Sequence, residues 1–120
     1  MRDYKKYSVW EKSHQITLKV YEVTRTFPKD EIFGLTSQMK RSSSSIPTNI
    51  AEGCGRGSDK DFCKFLYYSY GSANELEYQL LLSIDLKFIN SVNESQLLIQ
   101  IDEIKKMLNA LIRKVNEQQT

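Results

Sequence analysis

Apolar and small residues return at alternating steps of four and three in four separate stretches of this chain. The first runs Val9, Ser13, Ile16, Val20, Val23, Phe27, with Trp10, Thr17, Tyr21 and Thr24 beside it to widen the stripe. The second runs Ile32, Leu35, Met39, Ser42, Ile46, Gly53. The third runs Phe62, Leu66, Ser69, Ala73, Leu76, Leu80, Ser83, and the fourth Leu97, Ile101, Ile104, Leu108, Leu111, Val115. A helix of 3.6 residues per turn lines such positions along one face, whereas a half-buried strand needs alternation by two. No strand-like alternation and no internal repeat occurs, so the fold class is all-α. Four periodic segments with short connections predict one antiparallel up-down-up-down four-helix bundle over residues 1–120.

The boundary signals place the helices at about residues 8–26, 30–55, 58–89 and 93–117. Ser8-Val9-Trp10-Glu11 reads as a capping box, and Pro28 ends the first helix by disfavouring helical geometry in the residue before it. Asp30 is the expected N-cap of the second helix, and the glycines of Gly53-Cys54-Gly55-Arg56-Gly57 are expected to stop it. Ser58 caps the third, with Asp59 and Asp61 at its positive end. Asn93-Glu94-Ser95-Gln96 is a second capping-box candidate. Inside the second helix Pro47 has no N–H to donate and frees the carbonyl of Ser43, which predicts a kink there. The run Ser42-Ser43-Ser44-Ser45 before it has two readings: a close helix–helix seam, or a polar concavity around the freed carbonyl. Glu52 and Arg56 are spaced for an i,i+4 ion pair.

At 120 residues, with 40% hydrophobic and 27% charged residues, the chain suits one folded domain and not a disordered one. No apolar run is long enough to span a bilayer. The residues after Met1 lead into no apolar stretch, so no export signal and a cytoplasmic location are expected. Cys54 and Cys63 are too few for a disulfide framework and lack metal-ligand spacing, which implies reduced thiols.

Catalytic signatures are missing. The one histidine, His14, shares the Trp10–Thr17–Tyr21 stripe and reads as a buried or half-buried structural side chain. Nothing local pairs it with a cysteine or serine as a nucleophile's base. The carboxylate–histidine spacing of di-iron bundles is missing, and the Gly53–Gly57 glycines match no phosphate-binding loop. We therefore expect no enzyme activity, no cofactor and no metal.

Binding remains. The net charge is only +2, yet residues 1–64 carry 12 basic against 8 acidic side chains. Lys40, Arg41, Arg56, Lys60 and Lys64 form the candidate phosphate contacts, with Arg56, Lys60 and Lys64 one helical turn apart; Tyr67 is the candidate platform for an unpaired base. The bland alternative is that the lysines solubilise the surface and the tyrosines fill the helix junction. Separately, the third helix is apolar nearly all round near its end. Leu81, Leu82 and Ile84, with Leu18 on the first helix, read either as a thick core or as a subunit interface.

The same residues carry a family resemblance. It rests on Tyr7-Ser8-Val9-Trp10-Glu11-Lys12-Ser13-His14, Phe27-Pro28, Phe33-Gly34-Leu35, Ser45-Ile46-Pro47-x-Asn49-Ile50-Ala51-Glu52-Gly53, Gly55-Arg56, Phe65-Leu66, Gly71-Ser72 and Glu75-Leu76-Glu77. Over about residues 7–90 the chain resembles the 23S rRNA intervening-sequence protein family. The resemblance implies a small bacterial four-helix bundle. Some members are encoded inside insertions in 23S rRNA genes. Relatives that serve diversity-generating retroelements form pentameric barrels and engage nucleic acid and a reverse transcriptase. This chain differs in carrying Lys40-Arg41-Ser42 where a basic-basic-Ala start is usual, and in being nearly neutral where the retroelement relatives are strongly basic. Two expectations follow: a homo-oligomeric RNA-associated module, pentameric by resemblance, or a scaffold for a protein partner.

Overall fold

A computed structural model describes residues 2–118, which form four helices: α1 (Ser8–Val23), α2 (Leu35–Cys54), α3 (Asp59–Asp85) and α4 (Ser91–Gln118). Each helix packs along its length on its sequence neighbours, and α1 also packs on α4, closing a four-sided bundle of 48 × 24 × 20 Å. Side-chain bonds give the antiparallel register. Between α2 and α3, Ser42 Oγ donates to Gln79 Oε1 at 2.6 Å, the Ser45 and Ser72 hydroxyls meet at 2.8 Å, and Ser69 Oγ donates to the Ile46 carbonyl at 2.9 Å. Between α3 and α4, Lys105 reaches Glu77 at 3.1 Å and Asn109 lies 3.4 Å from the Tyr70 hydroxyl. Lys12 of α1 pairs with Glu103 of α4 at 2.6 Å.

The periodic faces are the core. Val9, Ser13, Ile16, Val20, Val23 and Phe27 of the first run and every residue of the α3 run are buried, as are Leu35, Met39, Ser42, Ile46 and Gly53 of α2, while Trp10 beside the first run is half-buried. Three positions differ. Ile32 precedes α2 and is 51% exposed, and Tyr21 is 43% exposed, with the Lys40 ammonium 5.1 Å over its ring. On α4, Ile112 takes the core position expected of Leu111, which is half-buried beside it.

The helix ends also correct the sequence reading. Ser8 is the first residue of α1 and not its cap; the Tyr7 carbonyl receives the first helical N–H groups, and the Glu11 carboxylate takes Gln15 instead of closing a box. The chain then tightens into a 3₁₀ turn at Thr24–Thr26 before Pro28. Asp30 sits in a second 3₁₀ turn, Lys29–Glu31, so α2 starts only at Leu35, where the Glu31 carboxylate accepts from the Leu35 N–H at 3.1 Å. Asn90, three residues before the expected box, caps α4 by accepting from the Asn93 N–H at 2.9 Å. Ser58 caps α3 as expected, its hydroxyl accepting from the Asp61 N–H at 3.1 Å.

No described glycine takes a positive φ, so the glycines after α2 do not end it by a left-handed turn. Gly53 lies inside α2 and has another reason to be glycine. A Cβ there would stand 2.9 Å from Phe65 Cβ and 3.0 Å from Phe62 Cδ1, so it sets how near α2 and α3 approach. The left-handed residue is Lys87, with φ 63. Phe88 N–H bonds the Ser83 carbonyl and Lys87 N–H the Ile84 carbonyl, both at 2.9 Å, the Schellman pattern that ends α3.

The carbonyl freed by Pro47 is not left open. Thr17 Oγ1 of α1 lies 2.9 Å from the Ser43 oxygen and 2.8 Å from the Ser13 oxygen, sharing one proton between them. Pro47 is buried inside the continuous helix α2. The serine run is therefore the close seam and not a polar concavity: Ser42 and Ser43 are buried, and small side chains let three helices meet through short hydrogen bonds.

Candidate nucleic-acid interface

Lys60 and Lys64 are exposed and lie one turn apart on the first two turns of α3, and Tyr67 follows a turn later. Together with Asp61, Cys63 and Tyr68 of α3 and Asn116 of α4 they line an open depression of about 490 Å³. Tyr67 is 56% and Tyr68 49% exposed, so both rings offer area to a ligand. Tyr68 is braced edge-on by Phe65 at 5.4 Å. The floor is fixed by Cys63, whose sulfur is buried 3.2 Å from Asn116 Oδ1.

Arg56 lies nearby in a different setting. It follows the end of α2 in the α2–α3 turn, so neither the helical spacing to Lys60 nor the i,i+4 pair with Glu52 forms. Its guanidinium stacks 4.6 Å over the Phe65 ring instead. Arg2, which sequence reasoning did not select, stacks 4.1 Å over Phe62 and pairs with Asp59. Burial alone would lower the Arg2 pKa; the hydrogen bond and charge of Asp59 outweigh it and leave it raised. Arg2, Arg56, Gly57, Ser58 and Asp59 line a second open depression of about 510 Å³ around the start of α3. Nothing in local sequence signals Arg2, because its partners come from residues more than fifty positions away.

Lys40 and Arg41 are not part of this cluster. They lie on α2, where 16 residues of chain, or about 24 Å of helix rise, separate Lys40 from Arg56. Lys40 is half-buried over Tyr21, and Arg41 is exposed. The candidate interface residues divide likewise. Leu18 is 51% and Leu81 46% exposed, whereas Leu82 and Ile84 are half-buried against the core.

The remaining sequence candidates are structural. His14 is half-buried and stacks on Trp10 at 5.3 Å with ring planes 7° apart. Cys54 is buried, and that burial pushes its thiol pKa up against the opposing pull of Arg2. A raised pKa leaves little thiolate for nucleophilic chemistry. No helix among the described residues is long and apolar enough to cross a membrane.

These observations define an antiparallel four-helix bundle that carries a basic and aromatic surface at the α2–α3 end. The sequence pattern of the 23S rRNA-intervening sequence protein matches residues 5–110, so the chain belongs to that family. A crystal structure of a protein of unknown function from the S23 ribosomal protein family of Bacteroides thetaiotaomicron is similar, with a TM-score of 0.78. The two are 29% identical, over 87% of this chain and 97% of that one. No curated protein matches the chain. The family block around Ser45–Gly53 is accounted for by packing: Ser45 meets Ser72, Asn49 Nδ2 donates to the Ser45 carbonyl at 2.9 Å, Ile46 and Ile50 fill the core, and Gly53 admits α3.

Proposed function

We propose that this protein is a non-catalytic binding module for single-stranded RNA, held through the first turns of α3. The observation that carries the reading is that Lys60, Lys64, Tyr67 and Tyr68 line one open depression. Lysines neutralise phosphates, and an exposed ring stacks on any base face, so the pair suits an unpaired strand better than a duplex. Arg56, one turn of chain before α3, adds a third cation. Lys40 and Arg41 lie too far along α2 to share the same short contact.

Anisotropy of a fluorescent single-stranded RNA tests this. Lys60→Ala with Lys64→Ala should weaken binding at least about tenfold and flatten the salt slope by about 1.4, at roughly 0.7 per phosphate. Lys40→Ala with Arg41→Ala should leave both unchanged. If the second pair lowers affinity as much as the first, the site is misplaced.

A second reading rests on the exposed Leu18 and Leu81. Both α1 and α3 pack along α2 and α4, on opposite sides of the bundle, so these apolar patches face different directions. Two different patches joined head to tail close a ring of copies, the arrangement that family resemblance suggests as a pentamer. The same surfaces suit a scaffold for another protein. Light scattering at micromolar concentration distinguishes these: a multiple of the 14.0 kDa chain mass supports the ring, and a monomer mass removes it.

A further inference from the structure

Two glycines sit inside helices of this bundle, and only one is explained by the fold. Gly53 is required by the approach of Phe62 and Phe65. Gly71 is exposed in the middle of α3, and a Cβ added there would meet nothing within 4 Å. Its φ is not positive either. Alanine would form the helix better at such a position, so neither packing nor backbone conformation within the chain calls for glycine.

The neighbours of Gly71 give it a context. At 100° per residue, Lys60, Lys64, Gly71, Asn74 and Tyr78 all fall within about 60° of Tyr67 around the α3 axis. All six are exposed, Tyr78 by 63%. One stripe thus reads, from the start of α3, as two cations, a ring, a bare stretch of backbone, an amide and a second ring. The carboxylates of this part of the helix lie at its edges. Glu77 is held by Lys105 at 3.1 Å, and Glu75 accepts from Gln79 at 3.3 Å.

We infer that the strand bound at Lys60 and Lys64 continues along this stripe to Tyr78, with its bases turned to the helix across Gly71. This rests on the RNA reading above and extends that site. Of the six stripe residues only Lys60 and Lys64 are charged, so phosphates are anchored at that end; beyond Tyr67, rings and bare backbone favour bases. Tyr67 and Tyr78 are eleven residues apart, or about 16 Å of helix rise. That length accommodates about four to five bases at roughly 3.4 Å each. A side chain at position 71 would lift the strand off the helix between its two rings.

The test is anisotropy with fluorescein-labelled rA4 and rA10 on the intact protein, with circular dichroism melting of every variant. Gly71→Gln and Tyr78→Ala should each weaken rA10 binding about tenfold, the size of losing a stacked base. Binding of rA4, which the Lys60–Tyr67 end satisfies, should change little. Gly71→Gln should also raise the melting temperature, so its lost affinity is not lost folding. If both variants bind rA10 like the parent while Lys60→Ala with Lys64→Ala does not, the track past Tyr67 is overturned and the basic site stands. If the lysine variant also binds like the parent, or the parent binds neither RNA, the RNA reading fails and the track with it. A protein partner for the Gly71 stripe then takes its place.

Discussion

Lys87 is the residue whose backbone is most at odds with its side chain. Its left-handed φ of 63 closes the end of α3, a position that glycine fills without strain. Lys87→Gly should therefore stabilise the fold by about 0.5–1 kcal/mol, read as a higher denaturant midpoint. Gly53 is the converse. Gly53→Ala gains about 1 kcal/mol of helix propensity, but its Cβ would stand 2.9 Å from Phe65 Cβ, and overpacking of that kind costs about 1–3 kcal/mol. The net effect should be a lower midpoint. Cys54 makes a pH prediction. Its folded pKa is raised from the ordinary 9.0, so the unfolded chain loses the thiol proton first as pH rises. The stability this contributes is complete below about pH 9 and is lost as pH climbs towards the folded pKa. Cys54→Ala should show a shallower alkaline decline than the parent when both are melted from pH 8 to 10.

At the scale of elements, α2 depends on a neighbour to hold a proline. Thr17 supplies to the Ser43 carbonyl the hydrogen bond that Pro47 cannot. Thr17→Val keeps the volume and removes the donor, which should cost about 1–3 kcal/mol for a buried carbonyl left alone. In a Pro47→Ala background the helix supplies its own donor, so the same substitution should cost markedly less. A double-mutant cycle by urea unfolding measures the difference, and equal costs in both backgrounds would contradict the pairing. This contact also marks what sequence could and could not disclose. The freed carbonyl was legible from Pro47 alone, and so were the core faces, because burial on a helix leaves a period. The occupant of the carbonyl was not, since Thr17 is 26 residues distant in sequence. The helix starts at Leu35 and Ser91 were missed because Asp30 and Asn93 carry the right side chains for caps, while Glu31 and Asn90 had the right geometry. The lysines and Tyr67 of the candidate site were legible through their spacing on one helix. Arg2 was not, since tertiary packing on Phe62 brings it there.

For the whole molecule, near-neutral charge hides an uneven distribution. Arg56, Lys60 and Lys64 gather where α2 turns into α3, with Tyr67 and Tyr68 behind them, whereas Arg2 is already committed to Asp59. Arg56, Lys60 and Lys64 set the scale of electrostatic binding at this end of the bundle. The measurement that bears most directly on this account is the affinity of the intact protein for a labelled single-stranded RNA across a salt series. The account predicts binding whose log-affinity falls with log salt at a slope of about −2, three phosphates at roughly 0.7 each. Absence of binding at low salt, or an affinity indifferent to salt, would contradict it.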